Sequence, residues 1–200
     1  MSENESLHGN APDNSNVALL IIDIISDFEF EDGEKLFKNA LPMAEKIAAL
    51  KKRAKKVGIP AIYVNDNFGK WQSDFKKLLA HASRKSVRGS KIAELLAPDE
   101  DDYFVLKPKH SGFFSTTLDV LLEYLNCETL ILTGVATDIC ILFTANDAYM
   151  RDFKLVVPRD CVAANGKNEN ERTLRYIERL LKADTSASTE LNFKELTKAA

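Results

Sequence analysis

The chain has 200 residues, of which 27 are Lys or Arg and 30 are Asp or Glu, so its formal net charge is −3. A hydrophobic fraction of 45% is typical of one globular domain and excludes a collagen, a coiled coil and a wholly disordered chain. No apolar run approaches the roughly 18–20 residues of a membrane-spanning helix, so no membrane contact is expected.

The first sixteen residues are polar and have neither the basic region nor the apolar region of a secretory signal. They predict a flexible tail at residues 1–16, followed by one domain at residues 17–200. Without export, a cytoplasmic and reducing location is expected. The three cysteines, Cys127, Cys140 and Cys161, are an odd number, and each is predicted to be a free thiol.

Short apolar runs alternate with helical patterns along the rest of the chain. Buried strands are predicted at residues 17–22, 61–64, 103–106, 129–132 and 154–157. Helices are predicted at residues 42–57, 118–125, 138–151 and 169–182, with a short sixth strand near 185–188 and a last helical turn after Glu190. This alternation predicts a three-layer α/β/α domain with a parallel sheet.

Open parallel sheets place their sites beyond the carboxyl ends of the strands, so the residues there are the candidates for function. Asp23 follows the first strand, Asn65 the second, and Cys140 comes shortly after the fourth, while Lys107 closes the third. An acid, a lysine and a thiol at three strand ends form a nucleophile-and-base set.

Cys140 is the candidate nucleophile because it lies near the start of a predicted helix. The first-turn N–H groups and the helix dipole favour a thiolate there, although a free cysteine also serves as a small buried apolar residue. Asp23 ends an apolar strand, where a carboxylate is costly to bury unless it is paired. Its other interpretation is an aspartate that caps a helix or tethers a loop.

Other common sites are not indicated by the sequence. The histidines, His8, His81 and His110, are isolated and show no spacing typical of a zinc site. The chain has no GxGxxG, no GxxxxGK[ST] and no GxSxG motif, so no dinucleotide, P-loop phosphate or serine-hydrolase site is predicted. We therefore expect neither a metal nor a cofactor.

The segment at residues 46–91 is basic, with thirteen Lys or Arg against the two acids Asp66 and Asp74. It is typical of a solvated helix face, an anion site or a surface for an acidic partner. Nucleic acid is not expected, because the domain is acidic overall and no aromatic residues interleave the lysine run. We expect a homo-oligomer, a dimer or tetramer, in which this segment meets acids at residues 94 and 99–102 around the apolar anchors Trp71 and Phe75.

Three blocks of sequence, at residues 19–28, 105–116 and 132–140, resemble the isochorismatase-like cysteine hydrolases, a family that includes nicotinamidases and N-carbamoylsarcosine amidase. The resemblance implies a six-stranded parallel sheet of order 3-2-1-4-5-6. It also implies a catalytic triad of Asp23, Lys107 and Cys140, and a cis peptide between Val135 and Ala136. Strand adjacency explains the meeting of Asp23 with Cys140 but not the position of Lys107.

One departure from the family narrows the expected chemistry. The loop at residues 65–71 contains Asp66 but lacks the histidines with which nicotinamidases hold a metal, so a metal is not expected. Since isochorismatases proper often lack the cysteine, Cys140 favours hydrolysis of an amide or carbamoyl C–N bond in a small molecule, through a thioester. The alternatives are a vinyl-ether hydrolase that uses Asp23 and Lys107, and a non-catalytic binding or scaffold subunit.

The chemistry of acyl transfer needs further groups around the triad. The backbone N–H groups of Ala136 and Cys140 are predicted to form an oxyanion hole. The predicted walls of the substrate pocket are Phe28, Asn65, Trp71 and Phe113.

Overall fold

A computed structural model describes residue 11, residues 13–66 and residues 74–198. Its strands are Val17–Ile22 (β1), Ala61–Asp66 (β2), Tyr103–Lys107 (β3), Thr129–Val135 (β4), Lys154–Val156 (β5) and Val162–Ala163 (β6). All pair in parallel in one sheet of order β3-β2-β1-β4-β5, and β6 pairs with the end of β4. The predicted parallel α/β architecture is confirmed.

The sheet is covered on both faces because alternate residues of the central strand β1 enter two different hydrophobic cores. Leu19 and Ile21 belong to one core, and Leu20 and Ile22 belong to the other. The first core is covered by the helices Gly33–Lys55 (α1), Phe75–Ala82 (α2), Ser90–Leu95 (α3) and Phe193–Leu196 (α7). The second is covered by Leu118–Tyr124 (α4), Leu142–Tyr149 (α5) and Lys167–Leu181 (α6). Uninterrupted apolar strands are the sequence signature of this two-sided burial.

Helix α1 begins at Gly33, nine residues before the predicted start at Pro42. The apolar spacing that predicted the helix was followed only from Met43 onward, but the buried face already begins at Leu36. The helix passes through Pro42 because the turns on either side of it are buried in the core, through Leu36 and Ala40 before the proline and Ala44 and Ile47 after it. Helices α2 and α3 were not predicted, since each buries only two residues.

The sixth strand lies at a different place from the predicted one. Residues 185–188 form no strand, and only Asp184 makes an isolated parallel bridge with Val156 of β5. The two-residue strand β6 pairs with Gly134 and Val135 instead. The second half of β4 is thereby bordered by β6 where β5 has already ended.

The residues before β1 that the structure describes are attached to the domain. The Ser15 N–H donates to the Leu125 carbonyl at 2.8 Å, and the Tyr103 hydroxyl donates to Asp13 at 2.7 Å. Of the predicted tail, residues 1–10 and 12 lie outside the described residues. No helix in the described part of the chain is long and apolar enough to cross a membrane.

The acids at residues 99–102 pair with lysines of their own chain. Lys55 Nζ lies 2.9 Å from Asp99 and 3.1 Å from Asp102, and the buried Lys51 ion-pairs with both. Lys51 and Lys55 of the basic segment therefore pair with these acids inside one subunit.

Candidate active site

The first candidate residue, Asp23, leaves the end of β1 with a φ of 51°. Aspartate enters this left-handed region more readily than most residues with a side chain. The turn is held on β2 at both ends, since the Asp23 N–H donates to the Val64 carbonyl at 2.9 Å and the Asp66 N–H donates to Asp23 Oδ1 at 2.7 Å. The second carboxylate oxygen remains available for another partner.

That partner is Lys107, the last residue of β3, whose side chain is fully buried. Its Nζ lies 2.7 Å from Asp23 Oδ2 and donates to Cys140 Sγ at 3.6 Å and to the Lys109 carbonyl at 3.1 Å. Asp66 Oδ2 lies 4.0 Å away. Lys107 thus joins the acid of one strand end to the thiol of another.

Cys140 lies in a single π-helical turn, Thr137–Ile141, that leads from β4 into α5. The turn follows the cis peptide between Val135 and Ala136. The Ala136 carbonyl accepts the N–H groups of Ile139 and Ile141, both at 3.1 Å. These bonds hold the thiol above the end of the sheet, where it faces Asp23.

Gly134 allows the ends of β1 and β4 to approach each other. It has a φ of 115°, and a Cβ atom at this position would lie 2.0 Å from the Ile22 carbonyl oxygen. In the sheet register, Gly134 is the partner of Ile22, the residue before Asp23. Only glycine fits this close approach, which brings Asp23 and Cys140 together.

Burial dominates the electrostatics of the triad. It raises the pKa of Asp23 above its ordinary value of 3.8, although the charge of Lys107 opposes this shift. Burial alone would lower the pKa of Lys107, but its interactions with Asp23, above all, outweigh burial and the pKa is raised. The pKa of Cys140 is raised by burial and by the negative charge of Asp23. In the resting triad, the raised pKa values of Cys140 and Lys107 favour a neutral thiol and a protonated lysine, and the charge of that lysine favours the ionised form of Asp23.

This resting state corrects the expectation that the start of a helix would favour a thiolate at Cys140. Desolvation penalises the charged thiolate, and the nearby carboxylate adds repulsion. The thiol is itself hydrogen-bonded to the Asp23 carboxylate. Asp23 is thus the acid placed to accept a proton from this thiol.

A cavity of about 400 Å³ opens beside Asp23 and Cys140. Two of the predicted wall residues, Phe28 and Asn65, line it, as does Ala136. Trp71 lies outside the described residues. Phe113 is placed away from the cavity, because its ring is buried in the second core against Phe153 and beneath the Arg151 guanidinium.

Several lining residues were not predicted from the sequence: Ser26, Phe30, Leu36, His110, Asp138, Ile139 and Asn165. His110 follows β3, and its position after a strand was its only signal. Asn165 follows β6, which is too short to be recognised as a strand. Its loop is held on α1, since the Asn39 side chain donates to the Ala164 and Asn165 carbonyls at 2.9 Å and 3.1 Å.

Comparison with known proteins gives consistent results. The family model described as "Isochorismatase domain" matches residues 17–189. An uncharacterised isochorismatase family protein, YaaI of Bacillus subtilis, is 41% identical over 174 residues, covering 87% of this chain and 95% of the relative. Enterobactin synthase component B of Escherichia coli is 32% identical over 169 residues, covering 80% of this chain but only 57% of that protein's length.

A solved structure supports the same relationship. The crystal structure of N-carbamoylsarcosine amidase from Thermoplasma acidophilum superposes with a TM-score of 0.68 at 26% identity, covering 88% of this chain and 99% of that one. The family match spans all six strands and the three residues that meet at the cavity. The chain belongs to the isochorismatase family and has the fold of its hydrolases.

Proposed function

We propose that this protein is a cysteine hydrolase that cleaves an amide or carbamoyl C–N bond of a small molecule. The observation that carries the proposal is the position of Lys107, whose Nζ lies 2.7 Å from Asp23 Oδ2 and 3.6 Å from Cys140 Sγ. A base, a cation and a nucleophile in contact beside a cavity are the parts that nucleophilic acyl transfer requires.

In the first half of the reaction, Asp23 takes the proton of the Cys140 thiol while Sγ bonds to the substrate carbonyl carbon. The carbonyl oxygen then carries a negative charge, which the backbone N–H groups of Ala136 and Cys140 stabilise as an oxyanion hole. The C–N bond breaks as Asp23 returns the proton to the leaving nitrogen, giving ammonia or an amine and a thioester on Cys140.

Water completes the reaction. Asp23 takes a proton from a water molecule while the oxygen of that water bonds to the thioester carbon. The C–S bond then breaks, the thiolate recovers the proton from Asp23, and the carboxylic acid leaves. Lys107 keeps its proton throughout, and its positive charge holds Asp23 ionised before each transfer.

A screen of small amides, ureido acids and carbamoyl compounds tests this proposal. Turnover should be lost in Cys140→Ala, and a thioester on Cys140 should be detectable by intact-mass analysis after a rapid acid quench. Activity should persist in EDTA, since we propose no metal in the reaction. Activity that is unchanged by Cys140→Ala, or that zinc restores after chelation, would contradict the mechanism.

A vinyl-ether hydrolase is the second candidate, and the burial of Asp23 favours it specifically. A carboxyl group whose pKa is raised retains a proton more readily, and a proton donor is what cleavage of a vinyl ether needs. This activity should survive Cys140→Ala but not Asp23→Asn. A non-catalytic binding subunit would turn over neither class of substrate, whether or not Cys140 is alkylated.

A further inference from the structure

Asn65 contains a buried polar atom that the fold leaves without a partner. The side chain lies in β2, is 1% exposed and lines the cavity beside Asp23 and Cys140. Its Nδ2 donates to the Ile25 carbonyl at 2.9 Å. Its Oδ1 is buried and has no hydrogen-bond partner in the described part of the protein.

The orientation of the amide follows from its one bond. The Ile25 carbonyl only accepts, so rotation of the amide by 180° would set two oxygen atoms against each other. Nδ2 must therefore face Ile25, and Oδ1 is the atom left over. A buried acceptor without a donor is costly, and in native proteins such an atom commonly has a functional explanation.

The rest of the wall indicates what the donor belongs to. Phe28, Phe30 and Leu36 provide an apolar surface, while Asp66 and Asp138 provide carboxylates. Neither Lys nor Arg occurs among the lining residues that the structure describes. These surroundings favour a ligand that donates hydrogen bonds, carries no negative charge and has an apolar remainder.

We infer that Asn65 is a specificity-determining residue whose Oδ1 accepts an N–H of the substrate, and that the substrate is an uncharged carboxamide or ureide with an apolar group. The inference rests on the proposed function, since it places this N–H in the cavity where the C–N bond is cleaved. Substrates with a carbonyl but no N–H leave Oδ1 unsatisfied and are selected against.

Binding of matched pairs of small molecules tests the inference without any chemistry. Benzamide and acetophenone differ only in NH2 against CH3, as do butyramide and 2-pentanone. In Cys140→Ala protein, which cannot form an adduct at this residue, NMR titration should show each amide binding roughly tenfold more tightly than its ketone, the difference that one good hydrogen bond gives. Addition of Asn65→Leu should bring this ratio close to one.

Two further variants separate recognition from loosening of the loop. Asn65→Ser retains a hydroxyl that can donate to Ile25 but removes the amide oxygen, so it should also lose the preference. Asp27→Ala removes the bond that the Glu29 N–H donates to Asp27 Oδ1 at 3.0 Å in the loop after β1, outside the cavity lining, so it should leave the ratio unchanged. Circular dichroism of each variant establishes that it is folded.

Three results would overturn the inference: an amide-to-ketone ratio near one in the Cys140→Ala protein, a ratio that survives both Asn65 variants, or no binding of either amide. The fate of the proposed function is decided separately, by turnover and thioester formation in the wild-type protein. Preferential amide binding without turnover would contradict the hydrolase but support the role of Asn65.

Discussion

Lys107 Nζ lies 2.7 Å from Asp23 Oδ2 although the strands that carry these two residues are not neighbours, since β2 lies between β3 and β1. The side chain reaches across the end of β2, where Asp66 is the register partner of Lys107. A fully buried lysine needs such a partner, because an isolated ammonium group cannot be desolvated at an acceptable cost in free energy.

Replacement of Lys107 by methionine is therefore expected to leave Asp23 as an uncompensated buried acid. We expect a loss of about 3–5 kcal/mol in the free energy of unfolding and a fall in kcat/KM of about a hundredfold or more, since each 1.4 kcal/mol of transition-state stabilisation is tenfold. Denaturant unfolding and steady-state kinetics measure the two effects.

Lys51→Met is the matched control for this substitution. Lys51 is also buried and paired with acids, but it does not line the cavity. The Lys51→Met substitution should therefore lower the free energy of unfolding without lowering kcat/KM of the folded fraction. An equal loss of kcat/KM in both variants would mean that Lys107 acts only through the stability of the fold.

The meeting of the acid and the thiol could be predicted from the sequence, but the position of the lysine could not. Asp23 and Cys140 follow strands that the family order places side by side, and β1 and β4 are indeed neighbours. Lys107 reaches the site through the length of its side chain, which no strand pattern encodes. The orphan oxygen of Asn65 was equally hidden, because it depends on the path of the Ile25 backbone.

Cys140 is predicted to be alkylated faster than the other two thiols, although none has a lowered pKa. Burial raises the pKa of both Cys127 and Cys161 to about 12, and neither lines the cavity. Cys161 has the Asp160 carboxylate beside it, but its side chain is fully buried. Cys140 lines the cavity and has Asp23 as a base. Iodoacetamide labelling followed by peptide mapping should find Cys140 first, and Asp23→Asn should slow this reaction. Preferential labelling of Cys127 or Cys161 would contradict the assignment of the nucleophile.

The pH profile of kcat/KM should have an acidic limb controlled by Asp23 and a broad plateau above it. Asp23 acts as a base only when ionised, and burial raises its pKa above 3.8. Activity therefore falls as the pH drops through that raised value. Lys107 keeps its proton because its pKa is raised above 10.5, so no alkaline limb is expected below about pH 10. A profile that rises through pH 8–9 would instead indicate a thiolate formed without Asp23.

We expect a dimer or tetramer, held by apolar contacts rather than by the charges first considered. Lys51 and Lys55 are paired within their own chain, and Trp71 lies outside the described residues. The predicted anchor Phe75 is buried and stacks at 5.0 Å on Phe104, which is 57% exposed on the edge strand β3. Light scattering at about 10 μM, well above the Kd of most specific complexes, should give the same mass in low and high salt, and Phe104→Glu should lower it. A strict monomer would contradict the prediction.

The close approach of β1 and β4 makes Gly134 a backbone position that is sensitive to a single added methyl group. In Gly134→Ala the new Cβ atom would lie 2.0 Å from the Ile22 carbonyl oxygen, so the two strand ends must separate and carry Asp23 away from Cys140.

Gly58→Ala is the matched control, because Gly58 also has a positive φ, of 79°, but nothing lies within 4 Å of its Cβ position. Thermal and denaturant unfolding should show a loss of about 1–2 kcal/mol for Gly58→Ala, the usual cost of a left-handed residue with a side chain. Gly134→Ala should lose at least twice as much, together with most of its kcat/KM. Equal losses in the two variants would show that backbone conformation alone, and not the approach of the strands, requires glycine at this position.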